Sequence, residues 1–258
     1  MLVCLFYPKY DVKFILEQKL GIVSKNSNIN DILYLKKWRG DEMDYGLIRD
    51  RIKAITSRIK EIDGEVQEFI IDEPATLEQI IKTEELLGVK LPESFKKVLK
   101  EFSGNFSLRW FLPDNMEQPN EFKDIFCGTP HWSLELLSQF EEDRMGWIEN
   151  VFPNPEDEYD MVWHNKLAFC EVGNGDYLAF DMNNSEDAPI VYISHDDGEG
   201  HGYKMANNFV EFIDNWSKLA FVGCEDWQWL PFTTSPESGI MAEGEAAKRF
   251  RDWLGLDI

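Results

Sequence analysis

The sequence predicts an α+β fold in which helices pack on an antiparallel-rich sheet, with further helices added at both ends. Two amphipathic helical patterns follow each other closely between residues 76 and 104. Apolar strand segments come later, and two of them flank a Gly-Asn-Gly-Asp turn at residues 173–176. Amphipathic helices must bury their apolar faces, and a sheet gives them a surface on which to do so.

Residues 1–70 are predicted to form a mostly helical N-terminal extension. Its clearest helix is residues 47–62, because isoleucines recur there at helical spacing between basic residues. Residues 12–20 have partial helical spacing, and residues 24–30 have the polar composition of a loop.

The first helix of the central pair has clear signals at both ends. Thr76 predicts its N-cap, and Gln79, three residues later, completes a capping box. Gly88 predicts its end, because glycine readily takes the left-handed conformation that terminates helices. The residues predicted to form its buried face are Leu77, Ile80, Ile81 and Leu87.

The second helix of the pair is predicted to start at Pro92, because proline lacks the N–H that would be unsatisfied at a helix start. Apolar side chains then recur at helical spacing until Gly104, which predicts a second face buried against the sheet. The residues of this face are Phe95, Val98, Leu99 and Phe102.

The predicted strands are residues 106–112, 167–172, 177–182 and 190–194. The second and third form a hairpin, because Asn174-Gly175 supplies the positive φ angles of a tight turn. Residues 133–140 are predicted to be weakly helical. Two prolines and a run of acids predict an exposed loop at residues 150–160.

The last helix of the central domain is predicted to begin after Asn208, an N-cap residue, with Glu211 at its third position. A linker and one more helix, at residues 242–254, complete the chain. We expect one shared core for the apolar residues of these helices and strands. Its members are Leu91, Phe95, Leu99, Phe102, Phe169, Phe180, Val191, Phe209 and Trp216.

Two blocks of the sequence, LLGVKLPESFKKVLKEFSGN and AFCEVGNGDYLAFD, resemble the signature of the SUKH superfamily. The first block carries Leu87-Gly88, Leu91-Pro92, Phe95 and Ser103-Gly104-Asn105. On this resemblance the chain divides into the extension at residues 1–70, a SUKH-like domain at 71–222, and a C-terminal linker and helix at 223–258. The superfamily includes a yeast cell-wall assembly regulator and many bacterial toxin-immunity proteins, so the resemblance implies an α+β fold and a binding role.

The charge of the chain is strongly negative and unevenly distributed. The net charge is −22, but residues 1–60 carry 12 Lys and Arg against 7 Asp and Glu, whereas residues 111–200 carry 3 against 21. Such a field repels nucleic acid and anionic membranes and attracts a basic protein. A solvated acidic surface without a partner would have the same composition, and this alternative stays open.

Aromatic and acidic residues are interleaved in the most acidic part of the chain. Aromatic side chains contribute affinity at protein interfaces, and surrounding charge accelerates encounter. We therefore expect partner binding by Trp147, Glu149, Glu156, Asp157, Glu158, Tyr159, Asp160, Asp196, Asp197 and Glu199.

The segment His195–His201 (HDDGEGH) is the strongest candidate for metal chemistry. Its three glycines predict a flexible loop, and its spacing matches neither a zinc-protease helix nor a calcium loop. A hydrolase that uses this loop is an alternative. We expect no catalytic residues, no metal and no cofactor.

The four cysteines are Cys4, Cys127, Cys170 and Cys224. They form no CxxC pair, which predicts reduced thiols in a cytoplasmic protein. The sequence thus favours a non-enzymatic immunity protein that neutralises a basic toxin, such as a nuclease, by direct binding. The second alternative is a regulatory interaction module like the fungal cell-wall regulator.

Overall fold

The computed structural model describes residues 43–183 and 187–258. The expectations for residues 12–20 and 24–30, and for Cys4, lie outside these residues. Residues 44–258 form one compact unit. The predicted domain limits at residues 70 and 222 stay predictions.

The described residues contain eight α-helices: α1 (Tyr45–Glu61), α2 (Leu77–Leu87), α3 (Glu93–Glu101), α4 (Leu137–Asn150), α5 (Asp160–Trp163), α6 (Phe209–Lys218), α7 (Asp226–Trp229) and α8 (Glu245–Leu254). Short 3₁₀ turns occur at Asn120–Phe122 and Leu230–Phe232. The strands are β1 (Glu65–Ile71), β2 (Asn105–Phe111), β3 (Cys127–Gly128), β4 (His131–Ser133), β5 (Lys166–Glu171), β6 (Tyr177–Asp181), β7 (Ile190–Ile193) and β8 (Lys204–Ala206).

The strands form two antiparallel sheets, which confirms the α+β class. In sheet A, β1 pairs with β2, and the opposite edge of β2 pairs with β4 along its first half and with β3 along its second half. Sheet B is a meander in the order β5-β6-β7-β8. Its β5–β6 hairpin turns at Gly175, which has a φ of +99°, whereas the positive φ predicted for Asn174 is wrong.

The predicted helix ends of the central pair are confirmed. The Thr76 hydroxyl accepts a hydrogen bond from the N–H of Gln79 (3.2 Å), and the Gln79 side chain accepts one from the N–H of Thr76 (2.8 Å). Gly88 ends α2 with a φ of +69°. Glu84 then holds the α2–α3 connection, because its buried carboxylate accepts hydrogen bonds from the N–H of Leu91 (3.0 Å) and from Lys90 Nζ (2.6 Å).

Several local predictions were wrong. On α2 only Ile80 of the predicted face is buried, while Leu77 is 64% exposed and Ile81 is 42% exposed. This helix packs mainly on α4, along a narrow line that includes Thr83 and Glu84. Residues 133–140 do not form one helix, because Ser133 ends β4 and α4 begins only at Leu137.

The sequence analysis also missed strands β1, β3, β4 and β8. Three of them have two or three residues, too few to show an alternating pattern. The fourth, β1, lies at the edge of sheet A with one exposed face, and its Phe69 is 51% exposed.

A buried aromatic cluster joins α3 and α6 to sheet B. The ring centroid of Phe95 lies 4.6 Å from that of Phe209, 5.0 Å from Phe180 and 6.2 Å from Phe169. Phe209 also meets Trp132 of sheet A edge-on at 5.6 Å. This one cluster therefore holds both sheets and both helices together.

Val191 is the exception to the predicted shared core. Alternate residues of a strand point to opposite faces, so Val191 lies with Tyr177 and Ala179 on the other face of sheet B, away from Phe180. Sheet B is buried on both faces, and Val191 belongs to a second core.

The terminal segments pack on this body through buried contacts. Arg51 of α1, 7% exposed, donates to the Asp214 carboxylate at 2.7 Å and to Ser217 Oγ at 2.9 Å on α6. Near the C terminus, the buried rings of Phe232 and Phe250 contact each other and Phe122.

Replacement of Phe95 by Ala should lower the free energy of unfolding by about 3–5 kcal/mol, since it empties a buried aromatic site that contacts β5, β6 and α6. Leu77→Ala on exposed α2 is the matched control and should change it by less than about 0.5 kcal/mol. Denaturant titration measures both. Equal effects of the two changes would contradict the helix placement.

Glu84→Gln should destabilise the protein by about 1–2 kcal/mol near neutral pH. Burial by itself raises the pKa of Glu84, but hydrogen bonds from Lys90 and Leu91 and the charge of Lys96 outweigh it and lower the pKa. A lowered pKa means that the carboxylate stabilises the fold above its unfolded pKa of about 4.3, and that this contribution disappears as pH falls through the folded value. The difference between wild type and variant should therefore shrink towards pH 3, and a constant difference would contradict the assignment.

Candidate functional site

The second core lies beneath the most acidic part of the chain. Phe152 and Trp163 stack with ring centroids 4.7 Å apart, and Trp163 packs on Tyr177 of sheet B. Trp147 of α4 and Tyr159 cover this core and are themselves partly buried. Packing on sheet B thus fixes the position of α4, α5 and the loop between them.

The loop at residues 151–159 is folded by two of its own carboxylates. Asp157 Oδ1 accepts hydrogen bonds from the N–H groups of Tyr159 (2.9 Å) and Asp160 (3.2 Å). Asp160 Oδ2 accepts one from the N–H of Asn154 at 2.9 Å. These two predicted partner-binding residues therefore act in the loop's own turn, while Glu156 and Glu158 are exposed.

Tyr159 joins this loop to the second acidic segment. Its hydroxyl donates to the Ser194 carbonyl at 2.7 Å and accepts from the N–H of Asp197 at 3.0 Å. Its ring stacks on that of His201, with centroids 3.8 Å apart. The structure thus brings together the two acidic stretches, around residues 156–160 and 195–199, that are separate in sequence.

Both histidines of the HDDGEGH segment are used within the protein. His201 accepts the Ser194 N–H at Nδ1 and donates from Nε2 to the Tyr159 carbonyl, each at 3.0 Å. His195 Nδ1 lies 2.6 Å from Oδ1 of Asp176, a carboxylate only 1% exposed.

Asp176, His195 and Asp196 place possible metal-ligand atoms within 4.8 Å of one another. Both oxygens of Asp176 are already engaged, however, by His195, Asn174 and the Tyr192 hydroxyl. The segment is therefore built as a braced loop, which does not favour the hydrolase alternative.

The positively charged side chains of this region are buried. The only Lys or Arg residues between positions 141 and 200 are Arg144 and Lys166. They are 3% and 8% exposed, and each pairs with an acid, Arg144 with Glu141 at 2.6 Å and Lys166 with Asp181 at 3.2 Å. Within the described part of positions 141–200, the exposed carboxylates therefore have no exposed Lys or Arg to offset their charge.

A groove beside Trp147 adds acids that the sequence analysis did not single out. It has a volume of about 620 Å³, and Glu142, Asp143 and Glu171 line it together with Trp147 and the edge of Tyr177. Burial first, and then the charges of Glu171 and Asp143, raise the pKa of Tyr177 to about 12. The i,i+4 spacing of Asp143 and Trp147 was the signal that could have placed this acid beside the tryptophan.

We call the exposed carboxylates of this region the acidic surface, leaving out Asp157, which is exposed but accepts the hydrogen bonds of the loop's own turn. Its members are Glu142, Asp143, Glu149, Glu156, Glu158, Glu171, Asp196, Asp197 and Glu199. The predicted aromatic residues Trp147 and Tyr159 lie beneath these acids rather than among them. Exposed apolar side chains at the same place are instead Met145, Val151 and Met161, which are 40%, 49% and 54% exposed.

Among the described residues, every helix is too short or too polar to cross a lipid bilayer. Residues 74–215 match the sequence profile of the SMI1 / KNR4 family (SUKH-1). No curated protein matches the chain with significance. The profile match begins just before α2 and ends within α6, so it includes the helix pair, sheet B and the acidic surface, and it covers more than half of the chain. The chain therefore belongs to the SMI1 / KNR4 family (SUKH-1).

Proposed function

We propose that this protein is a non-catalytic immunity protein, which neutralises a basic toxin domain by binding it through the acidic surface. The observation that carries the proposal is the exposed charge of that surface, because nine carboxylates face solvent while the two cations of the region are buried and paired. Uncompensated charge of one sign destabilises a compact protein, and a partner of opposite charge relieves this repulsion.

The chemistry of the surface fits a basic protein. A toxin that cleaves nucleic acid must itself hold phosphates, so an acidic inhibitor can cover the same cationic site. Met145, Val151 and Met161 supply apolar area among the acids, and interfaces combine such area with a charged rim.

The groove beside Trp147 suits a Lys or Arg side chain of the partner. Three carboxylates and two aromatic rings line it. A cation in the groove would gain charge attraction from the three carboxylates and contact with the partly buried Trp147. We propose that this groove receives a basic anchor residue, while the two acidic loops contact the surrounding surface.

The segments of the acidic surface are braced before any partner binds. Tyr159 connects the two loops, and Asp176 holds the backbone N–H of His195 at 2.8 Å. A preorganised surface loses little conformational freedom on binding, which favours tight inhibition without any chemical step.

The proposal is tested by toxin protection with a charge-reversed variant in which Glu149, Glu156, Glu158 and Glu199 become Lys. In the described part of the chain these carboxylates are exposed and accept no hydrogen bond, so the variant should fold. The toxin domain is first identified by capture from the native cell and mass spectrometry. Cells that express it should survive with the wild-type protein and die with the variant.

The matched control reverses four exposed acids elsewhere, Glu65, Glu85, Asp252 and Asp257, and so has the same net charge as the variant. It should protect cells as the wild type does. Full protection by the first variant would contradict the proposed interface. Loss of protection by both variants would mean that the overall charge of the protein, and not the acidic surface, determines protection.

Salt should act mainly on the association rate of the purified complex. Charge outside the desolvated contact accelerates encounter and is screened over about 8 Å at physiological ionic strength. Between about 0.05 and 0.5 M salt, association should slow at least 10-fold while dissociation changes less, as measured by stopped-flow fluorescence. An association rate that does not depend on salt would argue against an electrostatic interface.

A further inference from the structure

Three possible metal ligands, none of them a member of the acidic surface, converge at one place in the fold. His131 begins β4, Cys170 lies in β5, and Cys224 follows α6, so they come from sheet A, sheet B and the C-terminal segment. The Sγ atoms of the two cysteines lie 3.8 Å apart, and Cys170 Sγ lies 3.5 Å from His131 Nδ1. The three ligand atoms all lie within 4.8 Å of one another.

A backbone oxygen lies at the same place. The Thr129 carbonyl oxygen is 3.3 Å from Cys224 Sγ and 3.2 Å from His131 Nδ1. Two sulfurs, one imidazole nitrogen and one carbonyl oxygen therefore form a compact group of four atoms.

The separation of the two sulfurs and that of Cys170 Sγ from His131 Nδ1 match the edges of a tetrahedral zinc site. Zn–S bonds of about 2.3 Å and Zn–N bonds of about 2.05 Å at tetrahedral angles give S···S of about 3.8 Å and S···N of about 3.6 Å. Two thiols in simple contact would lie at a similar distance from each other. A four-atom ligand set requires the imidazole nitrogen and the carbonyl oxygen to approach the same sulfur pair, and without a metal ion these contacts are hydrogen bonds to the Thr129 carbonyl.

We infer that His131, Cys170 and Cys224 bind one Zn²⁺ ion, with the Thr129 carbonyl oxygen or a water molecule as the fourth ligand. Thiolate and imidazole ligands in this number select zinc over magnesium or calcium, which prefer oxygen. The inference replaces the expectation from sequence that no metal is bound.

The protons of such a site balance. Zinc binding releases one proton from each thiol to the solvent. The two thiolates then neutralise the Zn²⁺ charge, so the filled site carries no net charge in the interior. The imidazole binds through Nδ1 in its neutral form, with its proton on Nε2.

The role of the ion would be structural. It would link the two sheets to the segment after α6 at a point where no disulfide is formed, and Cys224 would fix the start of that segment. Because zinc replaces thiol protons, its affinity should fall as pH decreases.

The test is metal analysis of protein purified with reductant and without chelator or a metal-affinity tag. We expect one zinc per chain by inductively coupled plasma mass spectrometry. Replacement of the zinc by Co²⁺ should give the absorption of tetrahedral cobalt with a thiolate charge-transfer band.

Mutation of a residue that only hydrogen-bonds to a metal ligand typically lowers metal affinity roughly 10–100-fold. We expect at least this loss of Co²⁺ affinity for each ligand variant, Cys170→Ala, Cys224→Ala and His131→Gln. Cys127→Ala is the matched control, since Cys127 is also buried and lies outside the ligand set, and it should keep the metal. If a cysteine variant does not fold, the test uses His131→Gln, because His131 is only half-buried. A second measurement is the thermal midpoint of the wild-type protein, which a chelator should lower.

Two outcomes would overturn the inference. One is protein that contains no zinc and whose reduced form does not bind Co²⁺. The other is an intact mass two hydrogens below the reduced chain, with both thiols unreactive, which would mean that Cys170 and Cys224 form a disulfide instead.

Discussion

Burial of sheet B on both faces is the constraint on which the rest of the structure depends. One face carries Phe169 and Phe180 into the aromatic cluster of α3 and α6, and the other carries Tyr177 into the core under Trp163. Sheet B therefore holds α3 and α6 on one side and the platform of the acidic surface on the other. Loss of packing on either face would release elements on both.

The acidic surface is a consequence of this platform. Like charges repel, and the loops that carry them would spread apart without a fixed base. Tyr159 connects the loops through its hydroxyl, ring and carbonyl group. The carboxylates of Asp157, Asp160 and Asp176 accept hydrogen bonds from backbone N–H groups. The remaining carboxylates are left exposed, and these are the groups to which we assign partner binding.

Local signals allowed much of the fold to be predicted. The capping box at Thr76, the left-handed Gly88 and the Asn-Gly hairpin each depend on neighbouring residues, and all three are present. The face of Val191 could not be predicted, because a fully apolar strand gives no alternation to show which face points where.

Contacts between distant segments could not be predicted from the sequence, because they depend on tertiary packing. Two examples are the hydrogen bond from Tyr159 to Ser194 and the approach of Cys170 to Cys224, which depend on how sheet B and the C-terminal segment pack. The two cysteines are far apart in sequence, so a search for CxxC pairs could not find them. The structure leaves Asp160 partly buried and the other predicted acids exposed, whereas the covering of Trp147 and the acids of its groove follow from the packing of α4. Their role in binding stays a prediction.

The central claim is that the acidic surface is the binding interface. Hydrogen–deuterium exchange of the protein, alone and in complex with the toxin domain captured from the native cell, tests it most directly. The account predicts slower exchange on binding in peptides that cover residues 142–160 and 194–201, with little change in α2 and α8. Protection confined to α2 and α3, with unchanged exchange in the two acidic loops, would contradict it.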